Sequence, residues 1–387
     1  MSKYCIIGTG KQGSAALYDL ILFSNATSIL LLDSNENSIK ECLKRIDKKL
    51  VNNISIDSAV VDINDQGKLV NLLKPIDIML SSVPYQFNLM LTKVAIESAT
   101  SMVDLGGHTQ NVISQLKHHD DAVKNNIAIV PDCGMGPGMN ISMALLSMEQ
   151  LDTPQDVYIW DGGLPQKPKP PWNYSLFFNI KGLTNEYDGS AYFLKEGKVK
   201  EILCFEEFEV IEFDDIGKLE AVVTSGGLST MPWTYENKLR TLENKTLRYE
   251  GHWEFMKAYR QLGLFSEEEI LFKGVKFSPR EFYHYLLEPQ LTNNDREDIC
   301  IMRTEAYGLK DDIKTGVRFE VVEKYDSKTN LMAMEKWTGW HASIVMQKIM
   351  DGSIKPGAHS IEKALSGTDF YNEAIRRGYN IKKTILS

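Results

Sequence analysis

Residues 4–33 constrain this chain more than any other stretch. Tyr4-Cys5-Ile6-Ile7 is a short apolar run of β-favouring residues, and Gly8-Thr9-Gly10-Lys11-Gln12-Gly13 follows at once. Residues 14–23 read as a helix, 29–32 as a second strand, and Asp33 closes that strand. Strand, glycine turn, helix, strand and acid in this order make a dinucleotide cradle. Gly8 permits the tight turn, Gly10 lets the backbone approach a pyrophosphate, and Gly13 lets the helix pack close to the strand. The helix start presents unpaired N–H groups and a positive dipole end to phosphates, with Lys11 and Gln12 in that first turn. A carboxylate at Asp33 can accept from the adenosine ribose hydroxyls. It repels a 2′-phosphate, and Ser34-Asn35 supply no compensating arginine, so the expected cofactor is NAD.

The alternation continues. Strands are expected at 59–63, 76–80, 102–105 and 127–130, with helices at 36–49, 65–73, 86–98 and 110–125 between them. This predicts an α/β fold, a Rossmann doubly wound parallel sheet, with ligands beyond the carboxyl ends of its strands. Those ends carry the glycine turn, Asp33, Asp62, Ser81-Ser82-Val83-Pro84-Tyr85, Gly106-Gly107-His108 and Asp132. Pro131-Asp132-Cys133-Gly134-Met135-Gly136-Pro137-Gly138 then punctuates the chain, before a helix over 139–151. It reads as the joint to a second domain, and a joint beside a cofactor suits a substrate site.

With 387 residues, two domains are expected, since single cores rarely exceed ~250–300 residues. The second half has strand-like runs at 157–160, 175–180, 205–213, 221–224, 299–307, 317–325 and 331–337, with 326–330 as a hairpin loop. Helices are expected at 254–262, 279–287, 341–350, 360–365 and 369–377. Strands without regular crossovers imply a second α+β domain with a mixed or antiparallel sheet.

A net charge of −9 and the absence of a basic run argue against nucleic acid as partner. Five scattered cysteines without a CxxC pair suit a reduced, cytoplasmic setting. The chain enters a strand at once, so no signal peptide is expected, and no apolar run reaches the ~20 residues of a membrane span. No metal is expected. His118-His119-Asp120-Asp121 places its histidines on different helix faces, and there is no HExxH or cysteine quartet.

Catalytic candidates cluster at strand ends and the joint: Tyr85, Asp104, His108 and Asp132. Asp132 serves as base or ammonium holder, or simply as a turn residue. Tyr85 bonds substrate or packs, while Cys133, with no base beside it, is a bystander. Substrate candidates are Asn140, the loop containing Gly226 and Thr230, the guanidinium forks of Arg240 and Arg248, and His252. The plain alternatives are surface ion pairs for the arginines and a helix cap for His252.

Several motifs together resemble the saccharopine dehydrogenase family, particularly its lysine 6-dehydrogenase branch. They are Ile7-Gly8-Thr9-Gly10-Lys11-Gln12-Gly13, Ser81-Ser82-Val83-Pro84-Tyr85, Asp104-Leu105-Gly106-Gly107-His108 and Asp132-Cys133-Gly134-Met135-Gly136-Pro137-Gly138. Gly162-Gly163-Leu164-Pro165-Gln166, Lys245-Thr246-Leu247-Arg248-Tyr249-Glu250-Gly251-His252 and Leu262-Gly263-Leu264-Phe265 extend it through the second half. Glu250 departs from the proline expected there. The resemblance implies a Rossmann domain at 1–132, an inserted substrate and oligomerisation domain at 133–350, and C-terminal helices at 351–387 returning to the first. It adds Leu105 and Gly106 to the cofactor contacts and implies a homo-oligomer. It implies NAD-dependent oxidative deamination of the side-chain amine of lysine, or a lysine-like amine, to a semialdehyde that cyclises. The alternatives are a reductase that forms a saccharopine- or carboxynorspermidine-type C–N bond, and a non-catalytic NAD-binding regulatory protein.

Overall fold

The computed structural model describes residues 2–47, 50–51, 54–292 and 296–386. In the first domain β1 (Ser2–Ile7), β2 (Ala26–Asp33), β3 (Ser55–Val60), β4 (Ile78–Ser81), β5 (Ser101–Asp104) and β6 (Ala128–Val130) form one parallel sheet. Its helices are α1 (Lys11–Phe23), α2 (Glu36–Lys44), α3 (Gln66–Leu73), α4 (Asn88–Ser98), α5 (Thr109–Leu116) and α6 (His119–Lys124). The strand order is β6-β5-β4-β1-β2-β3. The winding therefore reverses between β1 and β4, which opens a crevice at their carboxyl ends. Tyr4, Cys5, Ile6 and Ile7 are buried on both faces of β1, as a central strand covered by two helix layers requires. The third strand begins earlier than expected and leaves Asp62 in the following loop. The expected second helix ends sooner, and its positions 48 and 49 lie outside the described residues.

The joint leads into α7 (Met139–Met148), all ten residues of which are buried. It lies between the sheets, so one apolar core runs from Leu17 and Val103 through Met143 to Val157 and Met302. The second sheet contains β7 (Thr153–Pro165), β8 (Ser190–Lys195), β9 (Lys198–Leu203), β10 (Glu209–Phe213), β11 (Gly217–Val223), β12 (Thr241–Arg248), β15 (Asp298–Lys310) and β16 (Ile313–Lys324). β12 runs parallel to β7, while β15 and β16 run antiparallel, so the sheet is mixed. Around it sit α8 (Ile180–Tyr187), α9 (Met231–Tyr235), α10 (His252–Gln261) and α11 (Pro279–Leu291), with a separate hairpin of β13 (Ile270–Phe272) and β14 (Val275–Phe277).

Residues 175–179, expected as strand, precede α8 as irregular chain. Residues 333–337, also expected as strand, open α12 (Ala333–Met350). The cause is a cap supplied from elsewhere: the Asp298 carboxylate accepts from the N–H groups of Ala333 and Met334, each at 2.8 Å. α12 packs on α1, and a Cβ on Gly339 would lie 2.6 Å from the Gln12 carbonyl oxygen. β17 (Gly357–Ala358) extends the Rossmann sheet beside β6. After α13 (Ile361–Ala364) and α14 (Gly367–Arg376), β18 (Ile381–Leu386) pairs with β16 in the second sheet. Residues 333–350, expected with the second domain, thus pack on the first, while 381–386 cross back to the second. Among the described residues, no helix is long and apolar enough to cross a membrane.

Candidate functional site

Packing dictates the glycine turn. A Cβ on Gly13 would lie 2.0 Å from the Gly8 carbonyl oxygen, and one on Gly8 would lie 2.7 Å from that of Ser82. Gly10 is different, because a Cβ there would meet nothing within 4 Å. It caps α1 with no side-chain hydrogen bond, so the first turn at Lys11, Gln12 and Gly13 has no side-chain cap below that space. Ser82 donates its hydroxyl to the Ile7 carbonyl at 3.0 Å, stitching β4 to β1 beneath the turn. Lys11 reaches across the crevice to the Phe177 carbonyl oxygen at 3.5 Å.

Asp33 accepts from the Thr9 N–H at 2.8 Å, the Thr9 hydroxyl at 2.9 Å and the Asn35 N–H at 2.9 Å. A carboxylate has about four lone-pair sites, so it retains capacity for a ribose hydroxyl. Beside it is a cavity of about 240 Å³, lined by Asp33, Asp62, Val61, Val83, Pro84 and Phe87 among others. Asp62 is held by the Asn64 N–H at 2.9 Å. An apolar slot next to an acid with spare acceptor capacity and an uncapped helix start fits a dinucleotide.

The ends of β5 and β6 bring two acids together. Asp104 is fully buried and accepts from the Gly106 N–H and from Gln115, each at 2.8 Å. Asp132 is 1% exposed and adopts φ +62°, the left-handed region that a non-glycine residue enters only at a cost. Its Oδ2 accepts the Ser229 hydroxyl from the second domain, and its Oδ1 is buried without a partner. Oδ1 sits where a Cβ on Gly106 would project, so only glycine fits at that strand end. Burial first, then the neighbouring Asp104, hold the Asp132 carboxyl well above the ordinary range, partly offset by Ser229. Burial likewise pushes Asp104 up, against its hydrogen bonds from Gln115 and Gly106. The Cys133 thiol is raised by burial and these acids, which makes it a poor nucleophile.

Tyr85 and His108 face one another across the crevice mouth, with ring centroids 5.1 Å apart and planes within 6°. Asn185 on α8 donates to the Tyr85 hydroxyl at 3.0 Å, a further contact between the domains. His108 caps α5, its Nδ1 accepting from the Asn111 N–H at 3.3 Å. Leu105 lies under the joint: its carbonyl oxygen is 2.8 Å from where a Gly134 Cβ would project.

The substrate candidates separate. Asn140 is a buried brace: its Oδ1 accepts from the N–H groups of Gly138 and Ile141, and its amide donates to Gly227 at 2.9 Å and Asn244 at 3.3 Å. Gly226 turns the loop at φ +85°, and the Thr230 hydroxyl donates to Glu362 at 3.0 Å, so Ser229 makes the contact to Asp132. Arg248 is buried and bonds Tyr187 at 2.8 Å and Glu186 at 3.1 Å, with Tyr174 stacked 4.9 Å away. His252 is fixed by the same set. Its Nδ1 donates to the Trp172 carbonyl at 2.9 Å, so its Nε2 accepts from Tyr187 at 3.0 Å. Arg240 is elsewhere: it forks onto Asp156 at the opposite end of β12 from Arg248. Sequence reasoning missed Asp161, which takes the Asn244 amide at 3.2 Å and is pushed up to about 7 by burial, and it missed Asn185 and Glu362. Ser229 stood within a loop already noticed for its composition.

Fold and crevice together define a two-domain Rossmann protein with its second domain closing over the dinucleotide face. Residues 4–130 match the saccharopine dehydrogenase NADP binding domain, and residues 134–377 match the saccharopine dehydrogenase C-terminal domain. The chain therefore belongs to the saccharopine dehydrogenase family. It is 25% identical over 219 residues to a saccharopine dehydrogenase [NADP(+), L-glutamate-forming] of Pyricularia oryzae, covering 54% of this chain and 48% of that protein. It is 24% identical over 279 residues to the mouse mitochondrial alpha-aminoadipic semialdehyde synthase, covering 69% of this chain and 29% of that one. The chain spans about half or less of the length of these two relatives. The structure of apo saccharopine dehydrogenase (L-Glu forming) from Saccharomyces cerevisiae superposes over all of both chains, with a TM-score of 0.78 at 16% identity, and shares the fold.

Proposed function

We propose that this chain is an NAD-dependent dehydrogenase of the side-chain amine of L-lysine or a lysine-like amine, releasing ammonia and a semialdehyde that cyclises. The observation that carries this reading is the Asp132 carboxyl, buried at the strand end with one oxygen unpartnered and its proton affinity raised. An ε-ammonium must lose a proton before its carbon can give up hydride, and a carboxylate whose proton affinity is raised is a stronger acceptor for it. The bound dinucleotide supplies the hydride acceptor. Asp132 takes the proton, Ser229 orients its carboxylate, and Tyr85 with His108 walls the crevice mouth. Water then adds to the substrate imine, and ammonia leaves.

Charge supports an amine over a larger polycarboxylate. Arg248 is committed to Glu186, and Lys11 is turned to the Phe177 carbonyl oxygen. Donors for a single substrate carboxylate are the N–H groups of the loop at 226–228. NAD is favoured because Arg45, the nearest arginine after Asp33 in the chain, is turned to Glu335. The second reading is oxidation of saccharopine itself, favoured by the names of the relatives. The test is NADH formation with lysine alone, with ammonia measured alongside. Turnover with saccharopine but none with lysine sinks the first reading.

A further inference from the structure

β7 alternates its side chains between two cores. Val157 and Ile159 join the apolar core shared with α7, while Trp160 and Leu164 join the one on the other face. Asp161 falls on the α7 side, where the pattern calls for another apolar residue. β12 beside it repeats the exception: Leu242 continues that core and Asn244 interrupts it. The two interruptions are joined. Asn140 of α7 donates its amide to the Asn244 Oδ1 at 3.3 Å, and Asn244 donates its own to the Asp161 Oδ1 at 3.2 Å. That bond orients the Asp161 carboxylate. Its Oδ2 accepts no hydrogen bond among the described residues and lies 2.8 Å from where a Cβ on Gly136 would project. Gly136 is the exposed residue of the otherwise buried joint at 131–140. Asp161, only 7% exposed, therefore presents one oxygen at an opening that a glycine keeps clear.

A buried carboxylate with an unused oxygen and no cation is costly until an opposite charge arrives. Asp161 forms no ion pair among the described residues, and Arg248 is bound to Glu186. We infer that Asp161 takes the second ammonium of the substrate, so that the site selects primary amines that carry another amine, as a diamino acid does. This rests on the reading above, in which the reacting amine lies at Asp132. The same amides lead to the loop at 226–228. The Gly227 carbonyl accepts from Asn140 at 2.9 Å, and a Cβ on Gly227 would lie 1.9 Å from the Asn244 Oδ1. The donors proposed for the α-carboxylate and the oxygen for the α-ammonium thus stand at two ends of one amide bridge.

Titration calorimetry on the full chain saturated with NADH, which blocks turnover, tests this. The ligands are lysine and 6-aminohexanoate, the same molecule without the α-amine. The wild type should bind lysine about tenfold tighter. Asp161→Asn keeps the acceptor for Asn244 and removes the charge, so it should lose that preference and leave 6-aminohexanoate binding unchanged. Gly136→Ala keeps the charge but crowds the open oxygen, and should weaken lysine binding in the same sense. Equal affinity of the wild type for both ligands, or lysine affinity untouched in Asp161→Asn, overturns the inference. Lysine binding that depends on Asp161, with no turnover when NAD replaces NADH, upholds it and sinks the dehydrogenase reading instead.

Discussion

Ser229, in the loop between β11 and α9, donates its hydroxyl to the buried carboxylate of Asp132 at the end of β6. One hydrogen bond thus fixes the proposed base and ties the two domains together. It is among the influences that lower an otherwise raised carboxyl. In Ser229→Ala the Asp132 carboxyl moves further up, and a rate that needs it ionised is lost at higher pH than in the wild type. The acid limb of kcat/KM against pH should shift to alkaline values. An unmoved limb would show that Asp132 is not the group that titrates in catalysis.

In the proposed reading, Asp33 carries the cofactor choice. Its carboxylate sits beside the cavity between Val61 and Phe87, where a 2′-phosphate would be repelled. Asp33→Ser removes that repulsion and also one acceptor for the ribose. The ratio of kcat/KM with NAD to that with NADP should fall by about tenfold or more, for ~1.4 kcal/mol per tenfold change. Equal use of both cofactors by the wild type contradicts the assignment.

Much of the crevice was legible in the sequence, because glycine spacing and strand-end acids are local signals. Gly8 and Gly13 sit where the close approach that their spacing implied leaves no room for a side chain, and Asp33 closes β2 as expected. What escaped depends on distant partners. β12 was not read as a strand because Glu243, Asn244 and Lys245 look like surface chain, yet Lys245 is buried among Glu207, Glu209 and Glu243. α12 was misread at its start because its cap, Asp298, lies 35 residues upstream of Ala333. Arg240 and Arg248 looked equivalent by composition, and only the strand between them puts one against Glu186 and Tyr187 and the other on Asp156 at the far end.

Asp19 of α1 and Arg377 after α14 form a fully buried pair, with contacts of 2.7 and 3.0 Å. It holds the end of the chain to the dinucleotide helix. Arg377→Met leaves a buried acid unpaired and should cost about 3–5 kcal/mol in urea unfolding. Replacing Asp19 with Leu in the same protein should recover most of that loss. No recovery would mean that packing, rather than the charge, accounts for it.

Buried histidines, His341 and His252 among them, contribute to the loss of stability in acid. His341 donates to the Cys133 carbonyl at 2.9 Å and meets Ser142 at 3.0 Å, and burial lowers it to about 4. Burial, with Arg248 nearby, lowers His252 to about 3. Unfolded histidine titrates near ~6.5, so between there and 4 the unfolded chain binds more protons and stability falls as pH drops. Asp161, pushed up to about 7, acts the other way: the folded state holds its proton, and stability falls as pH rises towards 7. His341→Gln should flatten the acid side of the unfolding midpoint against pH, and Asp161→Asn the side approaching 7. Unchanged slopes in both variants would refute these linkages.

The most direct test of the amine dehydrogenase reading uses lysine deuterated at C6 as the only organic substrate, with NAD. The expected result is deuterium in the reduced nicotinamide, one ammonia released per cofactor reduced, and loss of both in Asp132→Asn. Reduction that requires saccharopine, or none with any amine, contradicts it.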